Sequence, residues 1–241
     1  MKKLILSLLS TVSLMGCTIT GFDSSINVKN AFPLDETTKY EDLVNECSKG
    51  NFTFIFEYND KGENYKEEYD LDLENRVIHG DGYSYNNGSP TAHYSFYSFL
   101  RNDKYYNIAC EYINDELVVR ELPKEKEYRG NWGSWIKDVS EFPNTNIFNN
   151  PTQADQGDPV IYRPLALLFG GLMADKDGLI TLNNSGYSPS NTASLSFQNN
   201  QLDVSLRSNQ GGVATHSIKN IGANVIIIPK EVSKYVDSLE A

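Results

Sequence analysis

Three consecutive stretches decide the fold. They are Phe52-Thr53-Phe54-Ile55-Phe56-Glu57-Tyr58, then Asn59-Asp60-Lys61-Gly62-Glu63-Asn64, then Tyr65-Lys66-Glu67-Glu68-Tyr69-Asp70-Leu71-Asp72. In the first, aromatic side chains recur at every second position, the period of a β-strand that buries one face. The second is rich in Asn, Asp and Gly, which favour the positive-φ backbone of a hairpin turn. The third alternates again, with Lys66, Glu68, Asp70 and Asp72 on one side and Tyr65, Glu67, Tyr69 and Leu71 on the other. A strand with one charged side implies an antiparallel sheet with a solvated face.

The pattern continues downstream. Val77 to Tyr85, Tyr94 to Leu100, Tyr105 to Tyr112 and Glu116 to Leu122 read as further strands, separated by Asn/Asp/Gly turns. Strands return at Gly178–Leu182, Ala193–Phe197, Leu202–Leu206, Val213–Lys219 and Val225–Ile228. Helices are expected at four places. Tyr40, Leu43, Val44 and Cys47 form a stripe at i, i+3, i+4, i+7, with Asp35 as a candidate cap and Gly50 at the exit. Trp132, Trp135, Ile136 and Val139 mark a short helix, beside which Gly130 and Gly133 allow either a lid or a plain anchor. Pro159 or Pro164 opens a third through Leu172, and Lys230–Leu239 is the last. Together these predict an α+β fold, a large antiparallel sheet that twists and curls, packed with helices on one face.

Composition excludes some functions. With 21 Lys+Arg against 32 Asp+Glu and no basic block, the chain lacks the cationic surface that neutralises phosphates, so no nucleic-acid partner is expected. A 39% hydrophobic and 12% aromatic content is too apolar for global disorder. The three cysteines are too few for a disulfide-dense scaffold.

The N-terminus points to a compartment. Met1-Lys2-Lys3 precedes an apolar run of 12 residues, Leu4 to Met15, which has the length of a signal-peptide core and is too short to span a bilayer. It ends in Leu14-Met15-Gly16-Cys17. This ending resembles the lipobox of bacterial lipoproteins. The resemblance implies cleavage before Cys17, diacylglycerol on its sulfur, and a membrane partner reached through that lipid at the extracytoplasmic face. Two acyl chains anchor stably where one does not. The organisation expected is a signal peptide at 1–16, a lipidated N-terminus and flexible tether at 17–34, and one domain at 35–241. Val160 to Met173, at 14 residues and interrupted by Arg163 and Pro164, is no membrane span.

The order of elements over about residues 35–235, with the closing Ile221-Gly222-Ala223-Asn224-Val225-Ile226-Ile227-Ile228-Pro229-Lys230-Glu231-Val232, resembles the half-barrel lipoprotein-carrier-like superfamily. That resemblance implies a curved sheet wrapped around helices, with an apolar cavity for acyl chains.

Candidate sites follow. Phe52, Phe54, Phe56, Tyr94, Phe96, Tyr97 and Phe99 either line an apolar pocket for a hydrophobic ligand or fill an ordinary core. Cys47 and Cys110 are either a disulfide, plausible outside the cytoplasm, or two buried thiols. Asp175-Lys176-Asp177-Gly178 looks like the centre of a calcium loop, but alignment puts Met173 and Asn184 where the first acid and the bidentate Glu belong, so a turn is expected. His79, His93 and His216 lie on three expected strands without metal-ligand spacing. No Gly-x-Ser-x-Gly elbow or phosphate loop occurs. No catalytic residue, metal or cofactor is expected. The leading expectation is a non-enzymatic binding or carrier module for a lipid or other amphiphile. The alternative is an interaction lipoprotein with a filled core that binds another protein.

Overall fold

The alternating stretches assemble into one nine-stranded antiparallel sheet. The computed structural model describes residues 30–86, 89–114, 116–120, 162–183 and 191–241. Within these, α1 (Tyr40–Cys47) leads into six strands: β1 (Asn51–Asp60), β2 (Glu63–Asp72), β3 (Val77–Asn86), β4 (Ser89–Arg101), β5 (Lys104–Ile113) and β6 (Glu116–Arg120). Then come α2 (Tyr162–Gly170), the short β7 (Leu172–Ala174) and β8 (Ile180–Leu182), then β9 (Asn191–Gln198), β10 (Gln201–Ser208), β11 (Val213–Lys219) and α3 (Lys230–Glu240). The sheet runs β6-β5-β4-β3-β2-β1-β11-β10-β9, and β7 and β8 pair separately. The expected helix around Trp132 and Trp135 lies outside the described residues.

Turn chemistry explains the meander. Lys61 and Gly62 between β1 and β2, Asn102 and Asp103 between β4 and β5, and Asn199 and Asn200 between β9 and β10 all take positive φ. Two such residues in a row make the two-residue hairpin loop whose twist matches the flanking strands. Each meander strand therefore pairs with its sequence neighbour. The join between the halves is not local: β1 pairs with β11, Phe54 opposite Ile218 and Phe56 opposite His216.

The sheet buries apolar side chains on both faces. On the first, Phe52, Phe54, Tyr69, Leu71, Ile78, Phe96, Leu202, Val204 and Ile218 pack with Leu43 and Cys47 of α1 and with Leu165, Leu168 and Phe169 of α2. On the second, Val77, Tyr97, Phe99, Ile108 and Cys110 pack with Val232 and Val236 of α3. The expectation of helices on one face is thus corrected. Alternation exposes Val77 and Phe99 on the side opposite Ile78 and Phe96, and these need a cover of their own. Arg101 Nη2 reaches Asp237 Oδ1 at 2.6 Å and Tyr106 Oη donates to Glu240 Oε1 at 2.6 Å, fastening the end of α3 to the β4–β5 hairpin.

Three local expectations also change. Asp35 does not cap α1. Its Oδ1 accepts from Thr37 N at 2.8 Å and its own N–H donates to Thr38 Oγ1 at 3.0 Å, closing a turn ahead of a helix whose N-cap is Lys39. Leu172 is not helical but starts β7. Val225–Ile228 is not a strand. Ile226 and Ile228 pack on the second-face core, while Val225 and Ile227 stay 55% and 51% exposed. Gly50 does close α1, at φ 74°, with its N–H on Cys47 O at 2.9 Å.

Candidate functional site

The second face of β2, β3 and β4 carries a cluster of titratable groups beside the α3 core. His79 and Asp81 stand two apart on β3, so both project to one face. The ladders set Asp70 of β2 opposite His79, and Tyr97, Ser95 and His93 of β4 opposite His79, Asp81 and Tyr83.

His79 is the hub. Its Nδ1 lies 3.3 Å from Asp70 Oδ2, and its Nε2 is 3.0 Å from Ser95 Oγ and 3.4 Å from Asp81 Oδ2. Thr53 Oγ1 donates to Asp70 Oδ1 at 2.6 Å. The Tyr97 ring stacks on the imidazole with centroids 4.5 Å apart. Burial works against the charge on His79, but hydrogen bonds to Asp70 and Asp81 and their negative charges outweigh it, raising the pKa to about 9. Asp70 and Asp81 are raised by burial and lowered further by His79, so both end below the usual carboxylate value.

His93 completes the cluster. Its ring is stacked between Tyr83 at 4.2 Å and Tyr112 at 3.9 Å. Its Nε2 faces Asp81 Oδ1 at 3.5 Å, and both atoms are buried without a hydrogen bond. Nearby, Lys219 and Lys66 pair with Glu68 at 3.0 and 3.2 Å.

Asp70, His79 and Ser95 have the connectivity of a nucleophilic triad, carboxylate to Nδ1 and Nε2 to hydroxyl. The electrostatics oppose that chemistry. A general base must be neutral near neutral pH, whereas Asp70 and Asp81 together hold His79 protonated. Ser95 is 2% exposed, leaving a substrate no approach to its hydroxyl. The cluster places one imidazolium between two carboxylates and links side chains of β2, β3 and β4. Among the described residues no group of three or more His, Cys, Asp or Glu is placed to hold a metal ion.

The residues singled out from sequence divide between the faces. Phe52, Phe54, Phe56 and Phe96 pack into the first-face core, Tyr97 and Phe99 into the second. Tyr94 lies in β4 opposite Gly82 and Glu111. The seven do not converge on one pocket. Cys47 sits in the first core and Cys110 in the second, with the sheet between them, and both are free thiols. The bridge once plausible for this pair is therefore replaced by two buried thiols. Asp175 Oδ1 accepts from Asp177 N at 2.8 Å and Leu179 N at 2.9 Å, the geometry of a turn into β8. Cys17 lies outside the described residues.

By spacing alone the three histidines fall on three separate strands. His79 and His93 in fact meet around Asp81, and only His216 lies elsewhere, on the first face against Phe56 at 5.0 Å. The signal was the turn after Tyr85: a hairpin closing there brings His93 beside Tyr83 and Tyr97 beside His79. No family model matches the chain, and no curated protein or solved structure matches it either.

Proposed function

We propose that the protein is a bacterial lipoprotein, anchored through Cys17 at the extracytoplasmic face of the membrane, whose domain is a non-enzymatic module that binds another protein. The observation that carries the choice over an amphiphile carrier is the packing of the aromatic residues. Phe52 and Phe54 are buried beneath α1 and α2, and Tyr97 and Phe99 lie in a separate core with α3. A carrier needs those rings to line one continuous cavity of several hundred Å3. The acidic composition suits a domain standing off an anionic membrane on a tether.

Two measurements test this. Labelled palmitate is expected in the wild type and not in Cys17→Ser; equal labelling removes the anchor. Native mass spectrometry of the full chain, extracted in mild detergent, is expected to show the chain with its anchor alone. A further lipid at one per chain overturns the protein-binding reading in favour of the carrier.

A further inference from the structure

Among the described residues the sheet is open, with β6 at one edge and β9 at the other. Among the described residues β9 hydrogen-bonds β10 on one side only. β8 lies beside β9, and Leu182, Leu195 and Phe197 all pack against the first-face core, but β8 takes no place in the β9 ladder. Natural edge strands are kept from pairing by Lys, Pro, a bulge or short length. β9 has none of these. Its eight residues, Asn191-Thr192-Ala193-Ser194-Leu195-Ser196-Phe197-Gln198, hold no charge and no proline, and pair with β10 without a register shift. This neutrality stands out in a chain of net charge −11.

The strand is also self-complementary. In an antiparallel pair, residues directly opposite share a face. A two-fold axis through Leu195 puts Leu195 opposite its own copy and Ala193 opposite Phe197, small against large. On the other face it puts Ser194 opposite Ser196 and Thr192 opposite Gln198. Apolar meets apolar, hydroxyl and amide groups meet each other, and no like charges approach. Half-buried Ala193, Leu195 and Phe197 alternate with exposed Thr192, Ser194, Ser196 and Gln198, so both halves of this match are available along the edge.

We infer that β9 is the dimerisation edge of this protein: a second copy adds its β9 antiparallel about Leu195, joining two nine-stranded sheets into one. Main-chain hydrogen bonds supply the attraction, and the alternating side chains set the register. The inference does not depend on which protein the module binds.

Sedimentation and register-specific cross-linking test it on the full chain in mild detergent. The wild type is expected to sediment at about twice the mass of one processed, lipidated chain over a concentration series. Ser194→Cys mixed with Ser196→Cys is expected to give a disulfide-linked pair in much higher yield than either variant alone, because only 194 and 196 lie directly opposite. The double variant Ser194→Lys, Ser196→Lys places like charges opposite each other twice. It is expected to sediment as a monomer with its circular dichroism unchanged. A wild type that stays monomeric throughout, or equal cross-linking of the single variants and their mixture, overturns the proposal. A monomer that instead takes up an added extended peptide at β9 overturns it too.

Discussion

His79 Nδ1 lies 3.3 Å from Asp70 Oδ2 across the β2–β3 ladder, while Nε2 of the same ring is 3.4 Å from Asp81 Oδ2. One imidazolium thus stands between two carboxylates, with the Tyr97 ring stacked on it.

That arrangement sets a pH dependence. The folded pKa of His79 is about 9, above its ordinary 6.5. Its contribution is complete below 6.5 and is lost as pH rises through 9, with an upper limit of roughly 3 kcal/mol. Urea midpoints are expected to fall from pH 6.5 to 9 in the wild type and to stay flatter in His79→Gln. Parallel curves for the two proteins would refute the assignment.

His216 acts with the opposite sign. Burial lowers its pKa to about 4, so the native state holds the neutral ring, whose Nε2 has no hydrogen bond. Its stabilisation is complete above 6.5 and disappears as pH falls toward 4. His216→Phe keeps the contact with Phe56 and removes the titration, so it is expected to outlast the wild type at pH 5. The unsatisfied nitrogen alone accounts for about 1–3 kcal/mol. Thermal melts of both proteins at pH 5 and pH 7 check this.

Phe96 covers Gly80. A Cβ added at Gly80 would stand 2.0 Å from Phe96 Cε1, so the bare backbone is what lets the ring lie between β3 and β4 and meet Tyr69 at 6.2 Å. Gly80→Ala is expected to cost about 1–3 kcal/mol through forced repacking. Adding Phe96→Leu should recover part of that loss, a non-additivity readable in a double-mutant cycle. Independent, additive losses would show that the two residues do not compete for this space.

The cysteines give a chemical check. Burial holds the Cys47 thiol well above its ordinary value and pushes Cys110 up to about 12, so neither forms a thiolate near neutral pH. Iodoacetamide is expected to leave both untouched in the folded protein. Without reductant, it should label both on unfolding in urea. A linked Cys47–Cys110 peptide pair after digestion would contradict the two-core arrangement.

Much of the sheet was legible because its causes are local. Alternation in Phe52–Tyr58 and Tyr65–Leu71, with Lys61-Gly62 between them, carries strand, turn and register within one hairpin. The histidine cluster was half legible. His79 and Asp81 share a strand face by simple parity, and the β3–β4 turn carries the approach of His93. Asp70 joins only when β2 is in register as well.

Spacing within about 20 residues carries the meander, its tight turns and the amphipathic α1 and α3. Tertiary structure alone decided that β11 closes against β1, that α3 covers the second face, and that Cys47 and Cys110 lie on opposite sides of the sheet. These depend on which distant apolar surfaces bury one another, a choice made by whole-chain packing against loop-closure entropy. No local period encodes it.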